Sequence, residues 1–282
     1  MSSKTAKATK VAIGKMAPPS YDPARIQLLL GQLRLPAIQA GWQSLTAEAD
    51  RESWPTARLL GALVELEIAE RNHRRIERHL NDARLPSGKS LYNFDFTGVP
   101  TISKAQVMAL AESRDWLERG GNLLFFGQPG CGKTHLAAGI GRALVEKGLR
   151  VLFVRTTDLV QRLQVARQEL ALEAAIAKLD KFHLLIMDDI GYVRKDQSET
   201  SVLFELICAR YERRSILITA NQPFGQWEKI FNEPAMTVAA IDRLVHHAII
   251  FEMKVKRSHR WNEAVNRMNL KEIDSSDDNA VS

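Results

Sequence analysis

Residues 127–134 read Gly-Gln-Pro-Gly-Cys-Gly-Lys-Thr, and this stretch decides the fold. The spacing Gly127-x4-Gly132-Lys133-Thr134 has a mechanical reason. Glycines let a loop wrap until its backbone N–H groups point inward at phosphate oxygens. A helix starting near Lys133 adds the positive end of its dipole. In such a loop Lys133 is expected to reach the β- and γ-phosphates of ATP, and the Thr134 hydroxyl to hold Mg²⁺. Gln128, Pro129, Gly130 and Cys131 fill the variable positions, and His135 follows at once, so residues 127–135 form the expected nucleotide-binding segment. Cys131 reads as a small filler rather than a redox group.

Outward from the loop, an apolar run at 123–126 leads in and a helical pattern at 134–147 leads out. Further apolar runs at 151–154, 184–187, 216–219 and 249–251 alternate with helical segments at 159–179, 199–213 and 239–244. Buried strands alternating with helices predict an α/β fold, a mostly parallel five-stranded sheet with helices on both faces.

Two of these strands end in chemistry. Leu184-Leu185-Ile186-Met187 is followed by Asp188 and Asp189. Unpaired charge is costly to bury, so two carboxylates after an apolar strand need a reason. A Mg²⁺ ion supplies one, with Asp188 as the partner of Thr134 and Asp189 orienting or activating the attacking water. Ile216-Leu217-Ile218-Thr219-Ala220 leads to Asn221, which could sense the γ-phosphate, with Thr219 as second choice. Arginine suits a transition-state contact because its fork matches phosphate oxygens. Arg243 is the first candidate for such a finger and Arg213 or Arg214 the second. Lys133, Asp189, Asn221 and Arg243 are thus the expected catalytic set. His246-His247 has no Cys or carboxylate at a metal-ligand spacing and reads as structural.

The chain has 282 residues, 45% hydrophobic and 26% charged, with a formal charge of +6, as for a soluble globular protein with a mild bias toward polyanions. Two cysteines make neither a disulfide framework nor a metal cluster, and no apolar run reaches the length of a membrane span. A cytoplasmic protein is expected. Residues 1–24 read as a disordered basic arm, 25–86 as a small all-helical domain broken at Pro36 and Pro55, 87–262 as the nucleotide-binding domain, and 263–282 as a polar tail.

The ordered series Phe94-Asp95-Phe96, Gly120-Gly121-Asn122-Leu123-Leu124, GQPGCGKTHLA, LLIMDDIGY, ARYERRS, ITANQPFGQW and IDRLVHH resembles the insertion-sequence helper ATPases called IstB. These are relatives of the helicase loader DnaC within the AAA+ initiator clade. The resemblance implies an ATPase with nucleotide and Mg²⁺ at Lys133 and Thr134. It also implies a second acidic motif at Asp188 and Asp189, a sensor at Asn221 and an arginine finger at Arg243 acting between subunits of a homo-oligomer. The family's Gly-Glu-Ser-Tyr-Arg ending is replaced by Lys256-Arg257-Ser258-His259-Arg260, and no C-terminal helical lid is expected.

In this clade an added helix follows the second strand and touches DNA, which points to Arg162, Arg167 and Lys178 within 159–179. The family's N-terminal domain takes part in assembly and DNA binding, and Arg71, Arg74, Arg75 and Arg78 fit a phosphate-binding helix face. Lys254, Lys256, Arg257 and Arg260 with Trp261 form a second basic cluster. The function implied is a transposition helper that assembles on duplex DNA under ATP control and stimulates the transposase of its element. A DnaC-like helicase loader is the alternative. A small-molecule kinase is disfavoured by the paired acids, by the Asn221 strand end and by the Arg243 stretch.

Overall fold

The computed structural model describes residues 22–191, 197–229 and 233–255. The basic arm up to residue 21, the cluster at 256–261 and the tail at 263–282 lie outside the described residues. The chain divides into two compact units, Met1–His73 and Arg74–Ser282.

The first unit holds α1 (Pro23–Gln32), α2 (Pro36–Arg51) and the first part of α3 (Thr56–Ala83). Proline sets the boundaries, since its missing N–H and fixed φ suit a first helical turn. Pro23 and Pro36 open their helices, and Pro55 stands just before the third. Asp22 caps α1, its Oδ1 accepting from Ala24 N at 3.0 Å. Glu67 is the polar centre of this unit and is 4% exposed. Its Oε2 accepts from Ala37 N at 2.9 Å and Ile38 N at 3.3 Å, at the start of α2. Arg71 Nε donates to Glu67 Oε1 at 2.9 Å, and Arg71 Nη2 to Arg34 O at 2.8 Å. A carboxylate at a helix N-terminus also meets the favourable end of the dipole.

The second unit holds the rest of α3, then α4 (Lys104–Glu112), α5 (Asp115–Glu118), β1 (Asn122–Gly127), α6 (Lys133–Glu146), β2 (Val151–Arg155), α7 (Thr156–Gln168), α8 (Leu172–Leu179), β3 (Leu184–Asp188), α9 (Gln197–Arg210), β4 (Ser215–Ala220), a short 3-10 turn, α10 (Pro234–Val245) and β5 (Ala248–Met253). The five strands are parallel, in the order β2-β3-β4-β1-β5. Alternation along the strands sorts side chains to two cores. Leu123 and Phe125 of β1, with Leu184 and Ile186 of β3, face Leu136, Ile140 and Leu144 of α6. Leu124 and Phe126, with Leu185 and Met187, face α7, α8, α9 and α10. Each such fully buried side chain contributes about 1.5–3 kcal/mol. The α/β expectation holds, and all five apolar runs are strands.

One expectation is corrected. Residues 159–179 are not a single helix: α7 ends at Gln168 and α8 begins at Leu172. Leu170 takes a left-handed φ of 56°, and its N–H donates to Arg167 O. The intervening residues carry neither Gly nor Pro, so the periodicity runs on unbroken. The bend lets Leu163 of α7 and Ile176 of α8 reach the same core.

Candidate nucleotide-binding site

In a parallel sheet with helical crossovers, ligands bind outside the carboxyl ends of the strands. Here Phe126 of β1 lies opposite Ala220 of β4, and Met187 of β3 opposite Ile218. The next residues along these strands are Gly127, Asp188, Thr219 and then Asn221, and Thr219 Oγ1 reaches Asp188 Oδ1 at 2.7 Å. The register alone therefore gathers the phosphate loop, the acidic pair and the candidate sensor at one edge.

The loop leaves β1 and re-enters helix at Lys133. Gly132 has φ +93°, and a Cβ there would lie 2.9 Å from Phe94 Cε2. At Gly127 a Cβ would sit 2.5 Å from Met253 O on the neighbouring β5. Both positions need glycine for space, and Gly132 needs it for its left-handed turn as well. Lys133 is 7% exposed, and its Nζ donates to Gly127 O at 2.8 Å and Gln128 O at 3.0 Å. Burial pushes the Lys133 ammonium below the usual lysine range, while Cys131 and the Asp189 and Asp188 carboxylates oppose that shift.

Thr134, the second residue of α6, has its hydroxyl 3.0 and 3.2 Å from the two oxygens of Asp188. Thr219 Oγ1 donates to Asp188 Oδ1 at 2.7 Å and accepts from Asp189 N at 2.8 Å. Thr156 Oγ1 donates to the Asp188 carbonyl at 3.0 Å. Asn221 Nδ2 donates to Asp189 Oδ1 at 2.9 Å. Asp189 takes a left-handed φ of 62°, an uncommon conformation for a residue other than glycine. The turn swings its carboxylate toward Asn221, and the Ile190 N–H is satisfied by Thr219 O at 3.0 Å. The hydroxyl and carboxylate oxygens of Thr134 and Asp188 make a hard donor pair that fits Mg²⁺.

His135 points away from this carboxylate group. Its Nε2 lies 3.0 Å from Ser90 O and 2.9 Å from Asn93 Oδ1, so Nε2 carries the hydrogen. Phe94 packs edge-on to the His135 ring, with centroids 5.3 Å apart. The Ser90–Phe94 loop thereby braces the phosphate loop from outside.

The arginines separate into distinct settings. Arg243 donates from Nη1 to Ala239 O at 2.9 Å and stacks over Phe204 at 5.5 Å. Arg213 pairs with Asp180 at 3.1 Å. Arg210 is fully buried and donates to the Leu179, Phe182 and Ser215 carbonyls, tying the approaches to β3 and β4 together; burial lowers its pKa to about 10. Of the residues expected at DNA, Arg71 is held by Glu67 and Arg34, and Arg167 by Ser201 and Glu205. Arg74, Arg75, Arg78 and Arg162 are exposed.

Sequence reading underrated Thr219 and missed Thr156. Thr219 carried a signal, being the polar residue inside an apolar strand and sharing strand parity with Asn221. Nothing in the sequence marks Thr156. His246-His247 has no carboxylate at a metal-ligand spacing in the sequence, but the fold brings Glu212 within 3.7 Å of both rings.

A family model described as IstB-like ATP binding protein matches residues 28–265. The chain is 65% identical over 241 residues to an insertion sequence ATP-binding protein of Sinorhizobium fredii, covering 86% of this chain and 81% of that one. It is 35% identical to the IS5376 ATP-binding protein of Geobacillus stearothermophilus, covering 82% and 91%. It is also 35% identical to the IS21 ATP-binding protein of Pseudomonas aeruginosa, covering 81% and 86%. Among solved structures it is similar to the DnaC helicase loader at 22% identity and a TM-score of 0.47, over 60% of this chain and 98% of that one. Among the described residues, no helix is long and apolar enough to cross a membrane.

Proposed function

This chain belongs to the IstB-like ATP-binding proteins of insertion sequences, and from that premise we propose that it is an ATP-hydrolysing transposition helper that assembles on duplex DNA and stimulates the transposase of its element. The observation that carries the reading is the hydrogen-bonded series Thr134–Asp188–Thr219–Asp189–Asn221 beside the phosphate loop. Thr134 and Asp188 would hold Mg²⁺, which when bound neutralises phosphate charge and fixes the terminal phosphates. Lys133 places a charge at the same phosphates. Asp189, oriented by Asn221, accepts the proton of the attacking water. Arg243 serves the site of a neighbouring copy, so that ATP joins subunits.

Of the residues considered for DNA, the exposed Arg75, Arg78 and Arg162 support a phosphate contact best, since Arg71 and Arg167 are spent on internal ion pairs. The insertion-sequence names of the relatives favour this reading over a helicase loader. The test is phosphate release and duplex binding by the purified chain, with and without Mg-ATP, together with strand transfer by the transposase of the insertion sequence that carries it. Nucleotide-dependent DNA binding and a stimulated transposase are expected. DNA binding indifferent to nucleotide, with no effect on the transposase, overturns the reading.

A further inference from the structure

The turn after α9 and the end of α10 place Glu212, His246 and His247 together on the surface. Glu212 Oε1 lies 3.7 Å from His246 Nδ1 and 3.7 Å from His247 Nε2. All three ligand atoms lie within 4.8 Å of one another. Ligands about 2.0–2.2 Å from a tetrahedral zinc ion stand about 3.4 Å apart. Two of the separations exceed that by about 0.3 Å and the third, between the ring nitrogens, is at most 4.8 Å, so metal binding draws these exposed side chains inward.

The backbone beneath these side chains is fixed by one short segment. Glu212 takes a left-handed φ of 55°, and Gly120 presses against it, so that a Cβ on Gly120 would lie 2.9 Å from the Glu212 carbonyl carbon. Asn122 N donates to His247 O at 3.0 Å, and Asn122 Nδ2 to Leu244 O at 3.0 Å. Residues 120–122 thus hold the carboxylate turn and the histidine pair in one frame. The Tyr211 hydroxyl lies 2.9 Å from the same His246 Nδ1 and turns aside when a metal takes that nitrogen.

We propose that Glu212, His246 and His247 form a binding site for a zinc-class transition metal, which ties the turn after α9 to the C-terminal end of α10. Two imidazole nitrogens and one carboxylate oxygen suit Zn²⁺, Co²⁺ or Ni²⁺ and not the hard ions Mg²⁺ or Ca²⁺. Three protein ligands leave a fourth position for water. The site is separate from the phosphate loop and stands or falls independently of the nucleotide reading. Its position three residues beyond Arg243 means that an occupied site stiffens the helix carrying that arginine.

The test titrates the metal-free full chain with Zn²⁺, followed by calorimetry and thermal unfolding, with Mg²⁺ as control and Co²⁺ as spectroscopic probe. The expected result is one saturable equivalent of Zn²⁺, a raised Tm, and the visible absorption of a four- or five-coordinate Co²⁺ centre. The His246→Ala/His247→Ala double variant and Glu212→Gln should each weaken Zn²⁺ binding by about tenfold or more and lose the Co²⁺ band. Both variants change exposed side chains, and unaltered circular dichroism and ATP binding show that they remain folded. Equal Zn²⁺ affinity in native chain and variants places the metal elsewhere, such as at Cys208, and overturns the proposal. No saturable binding by the native chain overturns it as well.

Discussion

Asn221 Nδ2 donates to Asp189 Oδ1 across 2.9 Å, joining the residue just past β4 to the residue just past β3. The bond ties one carboxylate oxygen to the amide and so fixes the orientation of the carboxylate. Asp189→Asn should keep ATP affinity within about twofold while cutting turnover by about 10²–10⁴, the range of a positioned general base. Phosphate release measured beside nucleotide binding separates the two effects. Turnover unchanged in Asp189→Asn would remove it from the mechanism.

Lys133 spends its hydrogen bonds on two loop carbonyls, so Lys133→Ala should leave the fold intact and abolish ATP binding. A fluorescent nucleotide titration beside a circular dichroism spectrum is sufficient. ATP bound as tightly as by the native chain would displace the site.

Arg243→Ala should bind ATP but not turn it over, if the guanidinium serves the neighbouring copy. Mixing it with Asp189→Ala then creates some interfaces with one intact acid and one intact arginine. Phosphate release should partly recover on mixing. A mixture as inactive as its components counts against action between subunits.

Glu67 gives a pH prediction. Burial alone would raise its pKa, but the bonds from Arg71 and from the Ile38 and Ala37 N–H groups outweigh it, and the net shift is below the ordinary 4.5. A depressed folded-state pKa stabilises the fold above the unfolded value, and the contribution fades as pH falls from about 4.5 through the folded value. Glu67→Gln should cost about 1–3 kcal/mol near neutral pH, read by chemical denaturation, and the gap to the native chain should close in acid. A gap that is constant with pH would show that the charge is not involved.

The arginines of α3 should behave differently from one another. Arg71→Ala should lower stability through loss of the Glu67 pair and change the salt dependence of DNA binding little. Arg75→Ala and Arg78→Ala should each weaken duplex binding and flatten the slope of log affinity against log salt by about 1. Filter binding over a salt series distinguishes the two behaviours. Identical slopes in all the variants would move the DNA contact away from this helix.

Local patterns made much of the molecule legible. Five apolar runs gave five strands, the prolines marked the starts of α2 and α3, and the glycine spacing located the loop, because each depends on residues near in sequence. The break between α7 and α8 carried no such mark, since good helix formers run through it and only the shared core demands the bend. Arg167 looked like a free cation for the same reason, since Ser201 and Glu205 come to it from another helix, whereas the Glu67–Arg71 pair is a local i,i+4 spacing on one helix.

By itself, then, the sequence determined the phosphate loop, the acidic strand end and the alternation of strand and helix, all written within a few residues of backbone geometry. Only the tertiary structure decided that Thr219 bridges Asp188 and Asp189, that Asn221 orients Asp189, and that Glu212 meets His246 and His247. The reason is register. Parallel strands pair through helical crossovers, so the side chain opposite a given residue is chosen by how whole elements pack and not by any local pattern.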